Sequence, residues 1–338
     1  SSAASDVYKR QKPDSYYNAI INWVKQRYDL IVTKEVINFV PGIVPGIGMA
    51  MNCFTQKGDK VMIQPPVYHP FAWVTTRNER TLVINPLKWE NGMYRMDLDA
   101  FREQIKGCKL FILCNPHNPG GVVWTEAELR AIADICYDEK VLVFSDEIHA
   151  DLTLPPHTHR PFATVSEKAR MNSVTFMSPS KAFNMPGLSA SHALIFNEDL
   201  RKRFRIYMDA GELDMGHVFA FLSVEAAYSH GTEWLDQCLA YIQGNIDFVD
   251  EFLKKHAPKI KAIRPEASYL VWLDCRELEL SQKDLNEFFV DKAHLALNDG
   301  EMFGKEGIGF MRLNVASPRC IIEKAMKQLA DAYQLYIK

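Results

Sequence analysis

Ser173-Val174-Thr175-Phe176-Met177-Ser178-Pro179-Ser180-Lys181-Ala182-Phe183 runs from a β-rich segment straight into a lysine set among small hydroxyl residues. A lysine at a strand's end can bond covalently to an aldehyde while its hydroxyl neighbours hold an anion. To do so it must lose its proton, which burial and cationic neighbours promote. Taken alone the string suits an exposed loop lysine equally well, so its meaning depends on what surrounds it.

Upstream, Ser145-Asp146-Glu147-Ile148-His149 closes the apolar run 141–144. Acids at the carboxyl end of a strand sit where α/β sheets place their ligands. An aspartate there can keep a pyridine nitrogen protonated and so make a ring an electron sink. Metal binding by Asp146, Glu147 and His149 is the rival reading. It is disfavoured because adjacent strand residues point to opposite faces and no further ligands cluster nearby. His149 also suits a buried core histidine.

Further out, Cys114-Asn115-Pro116-His117-Asn118-Pro119-Gly120-Gly121 follows the run 109–114. Two Asn-Pro steps and two glycines force an irregular loop at another strand end, with Asn118 free to donate to an oxyanion on a bound ring. Pro41-Gly42-Ile43-Val44-Pro45-Gly46-Ile47-Gly48 leads from a strand into a helix starting near Val44. A glycine-preceded helix start offers unpaired N–H groups and a positive dipole end to a phosphate. The string lacks the lysine of a P-loop and the ordered glycines of a dinucleotide site, which argues against a nucleotide. Tyr68 could lie against a flat ring or be a core aromatic. Arg312, inside the apolar run 309–315, needs an anion, either a substrate carboxylate or a structural partner.

The runs 36–40, 60–63, 81–84, 109–114, 141–144, 173–177 and 190–196 read as strands separated by helical stretches. The best defined helix covers 126–139, opened by the capping box Thr125-x-x-Glu128. Near-continuous apolar strands between amphipathic helices indicate an α/β fold, a mainly parallel sheet covered on both faces. A long helical pattern over 223–253, interrupted near Gly231, precedes short strands (259–263, 269–273, 309–315) and two helices (282–293, 319–336). That change of rhythm predicts a large domain over 12–235 and a smaller C-terminal α+β domain over 236–338. Residues 1–11 read as a leader foreign to the fold.

Composition narrows the function. A net charge of −3 argues against nucleic acid as a partner. The seven cysteines are scattered, odd in number and free of CxxC pairs, so neither a disulfide framework nor a zinc site is expected and a reducing cytoplasm fits. No apolar run approaches the ~20 residues of a membrane span.

In this order, the segments 13–23, 41–46, 64–71, 114–121, 145–152, 178–188 and 309–319 resemble the class I/II aminotransferase fold, and more closely its cystathionine β-lyase branch of C–S lyases. The resemblance spans nearly everything from Pro13 onward. It implies fold type I of the pyridoxal-phosphate enzymes, pyridoxal 5'-phosphate as cofactor, and a homodimer. It implies that Lys181 carries the cofactor and then moves protons, and that Asp146 pairs with the ring nitrogen. It likewise implies that Asn118 and His149 lie near the ring hydroxyl and that Tyr68 stacks on the ring. By the same resemblance Ser178, Ser180 and the Ile43 and Val44 amides are expected to hold the phosphate, and Arg312 to grip the carboxylate of an amino-acid substrate. The implied reaction is α,β-elimination from cystathionine or a related cysteine S-conjugate. An aminotransferase using the same residues is the first alternative, and a non-catalytic cofactor-binding regulator the second. Ala182 and Met185-Pro186 depart from the branch's usual residues. The resemblance also implies an N-terminal extension, preceding Pro13, that carries a tyrosine reaching the neighbouring subunit's site.

Overall fold

The computed structural model describes residues 12–336; the expected leader, 1–11, lies outside them. Strands β1 (Ile37–Val40), β2 (Lys60–Ile63), β3 (Thr81–Ile84), β6 (Cys108–Cys114), β7 (Leu142–Asp146), β8 (Ser173–Met177) and β9 (Ser191–Leu194) form one sheet in the order β1-β9-β8-β7-β6-β2-β3. Only β9 runs against its neighbours, so the sheet is mainly parallel. A short hairpin, β4 (Lys88–Glu90) with β5 (Met93–Arg95), stands apart from it.

Alternation along the central strands explains why both faces are covered. Leu110, Ile112 and Phe144 pack toward the helices Ile43–Phe54 and Glu198–Ala210, in one core with Ile47, Met51 and Phe204. Phe111, Leu113 and Val143 pack the other way, with Leu129, Ile132 and Cys136 of the helix Glu126–Asp138. A strand buried on both faces needs apolar residues at every position, and β6 to β8 come close to that. The helix Glu126–Asp138 starts where its sequence directs: Thr125 Oγ1 accepts from the Glu128 amide and Glu128 returns the bond to the Thr125 amide.

A second sheet, all antiparallel, runs β10 (Lys261–Ile263), β11 (Leu270–Asp274), β13 (Phe310–Asn314), β12 (Asn298–Asp299). The helices Thr232–His256 and Arg319–Tyr336 pack against each other beside it, in one core with Val271, Leu273, Met311 and Leu313. The long helical pattern divides at Gly231 into Val218–His230 and Thr232–His256. The position expected to separate two domains, between residues 235 and 236, falls in the first turn of the second of these helices.

In the parallel sheet β1, β2, β6, β7 and β8 share one direction, so the segments that leave their carboxyl ends converge. These are 41–42, 64–69, 115–121, 147–152 and 178–190, and their convergence places the site.

Candidate active site

A cavity of about 440 Å³ opens at that edge, lined among others by Ile43, Val44, Tyr68, Asn118, Asp146, His149, Ser180, Lys181 and Arg312. Segments distant in sequence contribute to it, and the second sheet supplies Arg312.

At one end stands the start of the helix Ile43–Phe54. Gly42, at φ +111°, gives the chain a turn that a side chain would strain. The first amide satisfied inside the helix is that of Gly46, which donates to the Gly42 carbonyl. Pro45 has no N–H, so the Ile43 and Val44 amides are the free donors of this helix end. Ser180 lines the cavity. Ser178 does not: its hydroxyl is 2.8 Å from the Ala190 carbonyl and 2.8 Å from Ser180 Oγ, and it accepts from the Ser180 amide. It therefore stands behind Ser180 and fixes it.

Asp146 ends β7 and is almost fully buried, with Oδ1 accepting from the Ile148 amide at 3.1 Å. Burial pushes its carboxyl up to about 7, against the bond from Ile148, and the charge of Glu147 adds to the rise while Lys181 opposes it. A carboxyl held this way favours a cationic partner in the cavity. Glu147 takes the opposite face, as strand alternation requires, and bonds to His159 at 2.7 Å. Among the described residues no group of His, Cys, Asp and Glu is placed to hold a metal ion.

Lys181 is held below its ordinary proton affinity, first by burial and then by Arg312, with Asp146 opposing. A lysine poised this way spends more time as the free amine that carbonyl chemistry needs. His149 is buried and driven down to about 3, mainly by burial, and its Nδ1 has no partner. It is a neutral ring facing the cavity, edge-on to Tyr269 at 6.3 Å. Tyr68 lines the cavity with its ring braced edge-on against Phe71 at 5.7 Å.

Arg312 has no acidic partner among the described residues. Nη1 donates to Asn118 Oδ1 at 2.8 Å and Nη2 to Asn298 Oδ1 at 2.7 Å, while Nε is buried without an acceptor. Its guanidinium lies over the Phe303 ring at 4.6 Å. Burial lowers it to about 10. A guanidinium supported by two neutral amides still lacks its anion.

Several lining residues escaped the sequence reading: His69, Cys114, Tyr269 and Asn314, together with Asn298, which supports Arg312 from β12. Asn314 was within reach, because it sits two positions after Arg312 on one strand and so shares its face. Nothing local marks Tyr269 or Asn298, which are brought in by the pairing of β11 and β12 with β13.

These residues suit a flat, phosphorylated, aldehyde-bearing pyridine. Two free amides and a hydroxyl can take an anion, a buried carboxyl can take a cation and an amine can take an aldehyde, which leaves Arg312 able to take a carboxylate. Comparisons agree. Residues 5–329 match the family described as aminotransferase class I and II. Cystathionine beta-lyase PatB of Bacillus subtilis (strain 168) is 38% identical over 317 residues, covering 93% of this chain and 82% of the relative. Protein MalY of Escherichia coli (strain K12) is 29% identical over 328 residues, covering 96% and 83%. Cystalysin from Treponema denticola, solved with a pyridoxal 5'-phosphate cofactor, superposes with a TM-score of 0.94 at 33% identity, covering 97% of this chain and 84% of that one. A pyridoxal-phosphate-bound C–S lyase from Staphylococcus hominis gives 0.88 at 33% identity, covering 95% and 84%.

Proposed function

The chain belongs to the class I and II aminotransferase family, and we propose that within it the protein is a pyridoxal-phosphate-dependent carbon–sulfur β-lyase acting on cystathionine or a related cysteine S-conjugate. The observation that carries this reading is the convergence of Lys181, Asp146, the Ile43 and Val44 amides and an anion-free Arg312 on one cavity. The C–S lyase relatives supply the reaction type.

When bound, the cofactor supplies an aldehyde for the amine and a protonated ring that draws electrons from Cα. The chain's own residues do the rest. Ile43, Val44 and Ser180 hold the phosphate, with Ser178 fixing Ser180 from behind. Asp146 faces the ring nitrogen, Tyr68 covers a ring face, and Asn118 and His149 lie toward the ring hydroxyl. Arg312 holds the substrate carboxylate, which orients the Cα–H bond toward Lys181. The Lys181 amine, already below its usual proton affinity, takes that proton. The Cβ–S bond then breaks, the thiolate leaves and is protonated, and water converts the remaining enamine to pyruvate and ammonia.

The same reading includes a large domain over 12–235, a small one over 236–338, and a homodimer in the cytoplasm. Exposed Met215, Val218, Phe219 and Leu222 form an apolar surface at the start of the helix Val218–His230, which supports association. All seven cysteines are free, as a reducing compartment favours. Among the described residues no helix is long and apolar enough to cross a membrane.

The test of the site is the visible absorbance of the purified chain after adding pyridoxal phosphate. A new band is expected that Lys181→Ala abolishes and that borohydride bleaches while fixing the cofactor covalently to Lys181. An unchanged band in Lys181→Ala would overturn the assignment.

A further inference from the structure

Glu147 follows Asp146 directly yet faces away from the cavity, and its side chain is 0% exposed. Its carboxylate is fully engaged. Oε1 accepts from Ser145 Oγ and from the Phe162 amide, both at 2.8 Å, and Oε2 accepts from His159 Nε2 at 2.7 Å. His159 makes this contact with one ring N–H, and its Nδ1 has no partner. A buried acid is costly, and this one is held by a hydroxyl, a backbone amide and the His159 imidazole, with no lysine or arginine paired with it among the described residues. A fold that merely needed to pin the loop 157–162 to β7 could use a neutral amide with the same reach.

The backbone makes the coupling to Asp146 rigid. The Asp146 carbonyl accepts from the Asn115 amide at 2.9 Å, and the Glu147 amide donates to the Phe176 carbonyl at 2.9 Å. Asp146 and Glu147 are therefore clamped between β6 and β8 with their carboxylates on opposite sides of the sheet edge. Further along the same loop, Asp151 accepts from Trp23 Nε1 at 2.9 Å and from the Tyr28 hydroxyl, so the segment bearing His149 is anchored on its far side as well.

We propose that Glu147 is a positioning residue for the cofactor: from behind the sheet its carboxylate, held by Ser145, the Phe162 amide and His159, fixes Asp146 and strengthens the grip of Asp146 on a protonated pyridine nitrogen. The inference rests on the pyridoxal-phosphate reading of the cavity. A negative charge behind Asp146 favours a positive charge in front of it, whether a proton or a pyridinium. The other ionisable groups facing Asp146 are Lys181 after β8, Tyr68 after β2 and Cys114 on β6. Only Lys181 is a cation, and it acts against Glu147. Burial and Glu147 act together to raise the proton affinity of Asp146.

The test uses the full chain freed of cofactor and two probes that form no bond to Lys181. Pyridoxine phosphate carries the ring nitrogen and an alcohol in place of the aldehyde; benzyl phosphate has the phosphate and no nitrogen. In the wild type, pyridoxine phosphate should bind more tightly than benzyl phosphate. Glu147→Gln keeps the shape and hydrogen-bonding reach of the side chain and removes its charge. It should weaken pyridoxine phosphate by about tenfold, the equivalent of one pKa unit at Asp146, and leave benzyl phosphate unchanged. In an Asp146→Asn background the same substitution should change pyridoxine phosphate binding by less than about twofold, since coupled residues are non-additive. An equal loss for both probes, or an undiminished loss in that background, assigns Glu147 to general packing and overturns the proposal. Should Glu147→Gln fail to fold, Glu147→Asp, which keeps the charge, must retain the preference for the nitrogen-bearing probe; losing it overturns the proposal too. A wild type with no preference between the probes overturns the cofactor reading and this inference with it. A wild-type preference that Glu147→Gln leaves intact overturns this inference alone.

Discussion

Arg312 Nη1 donates to Asn118 Oδ1 at 2.8 Å, so a strand of the small sheet reaches the loop after β6 of the large sheet across the cavity. The contact orients both groups. Asn118 spends its carbonyl on Arg312 and keeps its amide hydrogens for a ligand, while Arg312 is held with its buried Nε unpaired. On the proposed reading, a substrate carboxylate would complete this arrangement by meeting the unpaired Nε.

Arg312→Lys should therefore raise KM for the amino-acid substrate by about 100-fold, because an ammonium offers a point charge where a planar fork is needed. The absorbance band of the bound cofactor should persist, since Lys181 and Asp146 are unchanged and Arg312 meets the cofactor site only through Asn118 and the charge it presents to Lys181. Steady-state kinetics beside a visible spectrum separate the two. An unaltered KM would remove Arg312 from the substrate site.

The pH dependence of the cofactor-free chain reports on Asp146. Its carboxyl is raised from 3.8 to about 7 on folding, so the folded chain binds a proton over an interval where the unfolded chain does not. The stability linked to that proton is complete below about 4 and is lost as pH rises through about 7. Buried His117, His149 and His192, lowered to about 4, 3 and 3, work in the opposite sense as pH falls below their ordinary range. They are common to the wild type and Asp146→Asn, so the difference in Tm between the two isolates Asp146. Relative to Asp146→Asn, the wild type should lose Tm between about pH 4 and 7 and hold a constant gap above that. A difference flat across this range would mean that Asp146 is not raised.

Gly121, in the loop after β6, has no room for a side chain. It lies at φ +69°, and a Cβ there would sit 2.5 Å from Pro265 Cβ and 2.8 Å from Pro265 Cα. Gly121→Ala should cost about 3 kcal/mol from left-handed strain and overpacking combined. Chemical denaturation measures this directly. A loss below about 1 kcal/mol would show that the loop yields at small cost.

Much of this was legible along the chain. The strands at 60–63, 81–84 and 173–177 stand where the apolar runs put them, and the final helix covers 319–336. Local chemistry wrote the start of the helix Glu126–Asp138 through Thr125 and Glu128. The site was legible because parallel strands deliver their following loops to one edge, so that strings such as 114–121 and 178–188 could be assembled without knowing their separation in space. The hairpin of β4 and β5 was overlooked although Asn91-Gly92, both at positive φ, is a strong turn signal. Ser180 lines the cavity while Ser178 is bonded to Ser180 and to the Ala190 carbonyl, and sequence cannot tell such neighbouring hydroxyls apart. Glu147 and His159 lie twelve positions apart and meet only because the intervening chain folds back beneath β7. No spacing rule announces that pair.

The most direct measurement is pyruvate formation by the cofactor-loaded chain given L-cystathionine and no keto acid. Sustained release of pyruvate, ammonia and thiol in equal amounts, abolished by Lys181→Ala, is the expected result. Absence of pyruvate until a keto acid is added, with that acid then converted to an amino acid, would contradict β-elimination and make the chain an aminotransferase.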